Sequence, residues 1–269
     1  IMDGFAKYLS AELPVLQITW ARYFFTVVFT FPLMLFFFKK YLVWTDKPKL
    51  QLIRGLILLT ANISFFYSIS IISLPKALTL AFVAPLVVTA FSPFFLGESV
   101  GYRRWTAVII GFIGSLVVIR PGFVEINLAS LAALGTGIMY GFYLIITRKL
   151  SSSDNPLLTL LLTGVVGAII ATTFMPFVWV SPTFNQWSIM AAIGLFACIG
   201  HLFIILSLKY ADASKLAPFS YFEIVTNIII AYYFFGDFPD SWTFLGLFII
   251  VFSGIYISRR ENIVKNIKI

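Results

Sequence analysis

Apolar runs of about one membrane crossing alternate along this chain with short polar connections. A helix needs ~20 apolar residues to span the hydrocarbon core. The pattern predicts spans over 16–38, 52–72, 76–96, 104–119, 126–147, 156–180, 187–208, 214–235 and 242–258, with residues 1–13 as the tail of a first span. The connections hold Pro, Gly, Asn and Ser, as tight turns require. A transmembrane barrel would instead show alternating segments of ~10 residues. The expected fold is an all-α polytopic membrane protein of ten transmembrane helices. The first is incomplete in this sequence, which we read as a truncation because the chain starts at Ile1.

Composition agrees. Of 269 residues, 60% are apolar and 11% charged, against ~45–50% and ~25% in soluble domains. Mean hydropathy is +0.99. The net charge of +8 has a topological cause. If the C-terminal tail is cytoplasmic and the spans alternate, 15 of the 19 basic residues fall inside: Lys39, Lys40, Lys47, Lys49, Arg54, Arg103, Arg104, Arg148, Lys149, Lys209, Lys215, Arg259, Arg260, Lys265 and Lys268. Lys7, Arg22, Lys76 and Arg120 fall outside. This is the positive-inside distribution of an inner-membrane protein, and it needs no nucleic-acid partner. The single cysteine, Cys198, excludes a disulfide framework and a cysteine metal cluster.

The chain repeats itself. PKALTLAFVAPLVVTAFSPFFLGE from 75 lies on SKLAPFSYFEIVTNIIIAYYFFGD from 214, an offset of 139 without a gap. Lys76 meets Lys215, Phe95 meets Phe234, Gly97 meets Gly236 and Glu98 meets Asp237. Upstream, KYLSAELP from 7 lies on KLSSSDNP from 149, pairing Glu12 with Asp154 and Pro14 with Pro156. The reading is two five-span halves, 1–122 and 123–269, the second carrying the basic tail. An odd number of spans per half inverts the second half, a transporter signature with binding near the midplane of the repeat interface.

Several residues carry a family resemblance. Trp20-Ala21-Arg22-Tyr23-Phe24 opens span two, Arg54-Gly55 span three, and Ala84-Pro85 lies in span four. Leu96-Gly97-Glu98 precedes Arg104-Trp105, and Gly111 and Gly114 follow in span five. In these the chain resembles an EamA-type member of the drug/metabolite transporter superfamily. The resemblance implies ten helices in two inverted halves and transport without ATP. Lys209-Tyr210-Ala211-Asp212-Ala213, Ala217-Pro218-Phe219-Ser220-Tyr221-Phe222-Glu223 and Phe238-Pro239-Asp240 resemble bacterial S-adenosylmethionine uptake transporters. Those carry an arginine where this chain has Ser220, a departure that bears on substrate identity.

Within the spans, chemistry concentrates at a few positions. Glu223 is an intramembrane carboxylate, expensive in hydrocarbon, and Pro218 one turn earlier frees backbone carbonyls. Either it lines a substrate or proton path or it pairs with a neighbouring helix. Phe219, Glu223 and Asn227 stack at a spacing of four residues; Tyr221 points elsewhere. A ring, an anion and an amide on one face suit a cationic or zwitterionic metabolite. Asn62 and Phe66 form part of a polar-aromatic patch in span three, and Tyr140 and Tyr143 lie in span six. His201, the only histidine, is either a proton carrier or a packing group. Arg22 either meets an anionic substrate group or snorkels to headgroups. Gly111, Gly114, Gly135, Gly137 and Gly141 are expected to allow close helix packing.

A Walker loop, HExxH and GxSxG are all missing from the sequence, so no ATP-driven pump or hydrolase is expected, nor any cofactor or metal. The expected function is secondary transport of a small polar or cationic metabolite by alternating access. S-adenosylmethionine uptake is the substrate the resemblance implies. Export of amino acids, other metabolites or drugs is the alternative, and a membrane enzyme or scaffold is the reading from another class. The expected partners are the substrate, the bilayer and a coupling proton.

Overall fold

The computed structural model describes residues 1–37, 45–97, 100–122, 127–151, 153–210 and 222–267. Their helices are α1 (Met2–Leu9), α2 (Val15–Phe37), α3 (Pro48–Ile71), α4 (Leu74–Ala81), α5 (Ala84–Leu96), α6 (Tyr102–Ile119), α7 (Leu128–Leu150), α8 (Pro156–Val178), α9 (Phe184–Tyr210), α10 (Phe222–Phe235) and α11 (Ser241–Ile267). Eight segments among the described residues are long and apolar enough to cross a membrane, α4 and α5 counting as one, and α10 is a shorter apolar helix. With α1, the predicted count of ten helices fits.

Proline sets several helix starts, because its missing N–H is needed least in the first turn. Pro48 and Pro156 open α3 and α8. At α8 the Asn155 side chain accepts from the Leu157 N–H at 2.9 Å. Glycine in the left-handed region ends α5 and α10, with φ 68° at Gly97 and 66° at Gly236; both conformations are strained for any residue with a Cβ.

Span four is predicted as one run over 76–96 but is broken. Pro85 offers no N–H to the Ala81 carbonyl, α4 stops at Ala81, and the chain turns through Phe82 and Val83 before α5 begins. The Val83 N–H reaches Leu80 at 3.4 Å instead. The backbone of Gly137 in α7 lies against the Ala81 carbonyl, closely enough that an added Cβ would sit 2.5 Å from that oxygen.

The chain divides into two compact units: Ile1–Phe66 with Ile146–Tyr210, and Tyr67–Ile145 with Ala211–Ile269. Each draws on both halves of the sequence. In the first, α2 packs on α8 and α9, and α1 on α9. In the second, α6 packs on α11, and α4 on α10. The close approach of α6 and α11 rests on glycines: a Cβ on Gly246 would lie 2.6 Å from the Gly114 carbonyl. Gly111, Gly137 and Gly141 also sit tightly against neighbours, whereas Gly135 meets nothing within 4 Å and has no packing reason.

Several elements recur at the offset of the sequence repeat. Val15–Phe37 and Pro156–Val178 are both 23 residues long and start 141 residues apart. The caps Gly97 and Gly236 are 139 apart, as are the starts of α6 and α11 at Tyr102 and Ser241.

Candidate functional site

In the first unit, α2 carries Arg22 and Tyr23 side by side. Arg22 is 2% exposed and Tyr23 1%. A guanidinium buried in a span needs partners, and Arg22 finds few. Its Nη2 lies 2.7 Å from Nε2 of His201 on α9. Arginine has no acceptor, so Nε2 accepts, and the imidazole is neutral with its proton on Nδ1. The Arg22 Cζ lies 4.6 Å from the Tyr23 ring centroid. Its Nε is buried and has no hydrogen-bond partner among the described residues. Asp3 of α1, also buried, is within range of the Arg22 charge without an ion pair forming. The reading of Arg22 as a snorkelling side chain is therefore corrected: it is sealed inside the helix packing.

Tyr23 is fixed from two sides. Its hydroxyl accepts from Asn62 Nδ2 at 2.9 Å, and its ring lies flat against Gly167 of α8, leaving no room there for a side chain. Asn62 Nδ2 also donates to the Leu58 carbonyl at 2.6 Å. Phe66, one turn on, is fully buried. Arg22, His201, Asn62 and Phe66 thus all belong to this unit, with direct contact between Arg22 and His201.

A second buried arginine in the same unit is differently placed. Arg54 is 0% exposed. Its Nε donates to Thr147 Oγ1 at 2.7 Å; its Nη1 donates to Thr163 Oγ1 at 2.6 Å and to the Thr159 carbonyl at 3.1 Å. Beside it, Gln51 Nε2 donates to Asp154 at 2.7 Å, and the Thr45 hydroxyl donates to the same carboxylate at 2.6 Å. Burial pushes the Asp154 carboxyl up, but hydrogen bonds from Thr45, Gln51 and Ser153, with Lys47 nearby, outweigh it and hold it below the usual carboxylate range. Gln186 of the second half donates in the same way to Glu12 of the first. The two acid–glutamine pairs are thus exchanged between the sequence halves. Sequence reading missed this network; the pairing of Glu12 with Asp154 in the repeat was its only signal.

The second unit holds the other candidates. Tyr140 and Tyr143 of α7 stack with centroids 5.4 Å apart and planes at 20°. Glu223 stands exposed in the first turn of α10, where the helix dipole favours a carboxylate. Asn227, one turn later, is 2% exposed; its Nδ2 donates to the Glu223 carbonyl at 3.0 Å, and its buried Oδ1 has no partner among the described residues. Phe219 and Tyr221, with Pro218 and Ser220, lie outside the described residues, so the predicted face over 219–227 is seen only from Glu223 onward. At an end of this unit, Arg120 Nη2 pairs with Asp240 at 2.6 Å. Burial raises the Asp240 carboxyl, but bonds from the Thr243 side chain and backbone, and from Arg120, bring it below its ordinary value.

Of the two buried arginines of the first unit, Arg54 is fully bonded and Arg22, among the described residues, is not. The EamA-like transporter family matches residues 2–120 and again 127–259. The chain belongs to this family. An S-adenosylmethionine uptake transporter of Rickettsia conorii is 27% identical over 266 residues, covering 99% of this chain and 90% of the relative. The pseudopaline exporter CntI of Pseudomonas aeruginosa is 25% identical, covering 97% and 92%. A riboflavin transporter of Vibrio cholerae is 29% identical over 193 residues, 70% of this chain and 63% of that one. A crystal structure with 18% identity covers 96% of both chains at a TM-score of 0.68, which bears on the fold alone. This EamA-like chain is a multi-pass membrane protein and a transporter of a small molecule.

Proposed function

We propose that this EamA-like transporter takes up S-adenosylmethionine across the inner membrane by alternating access, with its C-terminus in the cytoplasm. Residues 1–122 and 123–269 are its two inverted repeats. The observation that carries the substrate class is Arg22: buried on α2, bonded to neutral His201, with Nε unpartnered among the described residues. Such a guanidinium is complementary to a carboxylate, which arginine binds by two parallel N–H bonds. S-adenosylmethionine offers one. It also carries an ammonium and a sulfonium, and Glu223 is the group for a positive charge, whether of the substrate or of a coupling proton. No covalent step is assigned to the chain. The likeness to uptake transporters over 97–99% of the chain supports the direction. Export is the second reading, favoured by the likeness to CntI over a comparable length.

The test is counterflow of radiolabelled S-adenosylmethionine in proteoliposomes. Wild type should show saturable exchange. Arg22→Gln should lower it by roughly ten- to a hundredfold, the equivalent of the ~1.5–3 kcal/mol of a hydrogen bond to a charged group. Glu223→Gln should weaken it as well. Absence of exchange by wild type discards this substrate; exchange untouched by Arg22→Gln discards the carboxylate anchor.

A further inference from the structure

The second unit has a groove that the transport reading does not use. It lies between α6 and α11, with a volume of about 610 Å³. At one end it is lined by Tyr102 and Arg103 from the first turn of α6 and by Tyr256 and Arg259 from α11; Ile110 and Phe252 line it one to two helical turns further along the same helices. Among the described residues, no Asp or Glu lines it. Arg103 is exposed, and its Nε donates to the Tyr102 hydroxyl at 2.9 Å. Arg259 is exposed as well. Next to it, Arg260 reaches the Tyr256 hydroxyl at 3.3 Å. Two aromatic rings with polar tips and two cations therefore stand at one end of a slot whose remaining lining is mostly apolar. Tyrosines and arginines arranged this way mark the headgroup level of a membrane protein.

We propose that this groove is a binding site for an anionic phospholipid. The phosphodiester sits between Arg103 and Arg259, its oxygens within reach of the tyrosine hydroxyls, and one acyl chain lies along Ile110 and Phe252. Three features single out this occupant. The described residues of that end carry only positive charge, so a zwitterionic headgroup gains less than an anionic one. The rest of the lining is mostly apolar, so a free anion would leave most of the slot unfilled. The basic residues of the chain place this end on the cytoplasmic side, whose leaflet carries the anionic lipids; basic pockets between helices on that side are headgroup sites. The start of α6 adds to the attraction, because Gly101 supplies no side-chain cap for its first amides.

The full chain, purified in detergent, is titrated with dioleoylphosphatidylglycerol, with dioleoylphosphatidylcholine and with inorganic phosphate. Bound lipid is counted by native mass spectrometry, and the melting temperature is followed in parallel. Wild type should retain phosphatidylglycerol over phosphatidylcholine. Arg103→Gln with Arg259→Gln should erase that preference, by roughly fivefold per arginine, while the melting temperature in phosphatidylcholine holds. Arg103→Lys with Arg259→Lys should keep it. Ile110→Trp, which fills the apolar stretch of the slot and leaves the charge, should lower retention of the lipid. The site is overturned if the glutamine pair holds phosphatidylglycerol as wild type does. It is equally overturned if both lipids bind alike, or if inorganic phosphate protects as well as the lipid.

Discussion

Arg22 and Arg54 are both buried in the first unit, 2% and 0% exposed, yet they are solvated in opposite ways. Arg54 is surrounded by Thr147, Thr163 and the Thr159 carbonyl, and its neighbour Gln51 leads to Asp154. Arg22 has one imidazole nitrogen, a tyrosine face and an unpartnered Nε. A buried cation whose bonds are met by the protein holds helices together. Under the proposed function, a buried cation whose bonds are left open is the one available to a substrate. The comparison separates the two proposed roles within one packing unit, where burial alone does not.

The largest expected effect tests the structural side. Arg54→Met leaves the Thr147 and Thr163 hydroxyls without their guanidinium donor, the Thr159 carbonyl keeping only the Thr163 hydroxyl bond, at about 3–5 kcal/mol. The variant should accumulate poorly in the membrane, and its melting temperature in detergent should fall by many degrees. Arg22→Met loses one bond and removes a poorly satisfied charge, so it should shift stability by less than about 1 kcal/mol while S-adenosylmethionine exchange collapses. Equal destabilisation by the two variants would abolish the distinction.

Asp154 gives a smaller effect with a definite pH dependence. Its carboxyl is held below the usual range in the folded protein. Its bonds therefore add stability above the unfolded value of ~3.9, and that stability is lost as pH falls through the lower folded value. Melting temperature against pH should fall in this acid range for wild type and less steeply for Asp154→Asn. At neutral pH the variant should be the less stable, by about 1 kcal/mol. Parallel curves would mean that the Thr45 and Gln51 bonds contribute nothing.

Much of the fold was legible because hydrocarbon imposes it: apolar runs of set length, proline at helix starts and glycine at the ends of α5 and α10. The break at Phe82–Val83 was not foreseen, although Ala84-Pro85 was noted; whether a proline kinks a helix depends on what packs against the freed carbonyl, and Gly137, 56 residues from Ala81, lies against it. The site was legible only one residue at a time. Arg22 and His201 are 179 positions apart, and each stood alone with two open readings. Arg54 was noted only as a motif residue and a basic count, since Thr147, Thr159 and Thr163 lie 93 to 109 positions away and threonine in an apolar run carries no signal of its own.

The smallest expected effect concerns what His201 does for Arg22. If the imidazole only positions the guanidinium, an acceptor of similar reach can replace it. Glutamine has one in its side-chain carbonyl, so His201→Gln should lower S-adenosylmethionine counterflow by less than about tenfold, whereas His201→Phe, which has no acceptor, should lower it as far as Arg22→Gln does. Counterflow needs no net proton movement, so it isolates this positioning role. Uptake driven by an imposed pH gradient adds the other. Should His201→Gln keep counterflow and lose gradient-driven uptake, the histidine carries the coupling proton, and the Arg22–His201 bond must break and re-form once per cycle. Should both rates survive, His201 is a fixed acceptor, and coupling, if the carrier uses it, falls to Glu223.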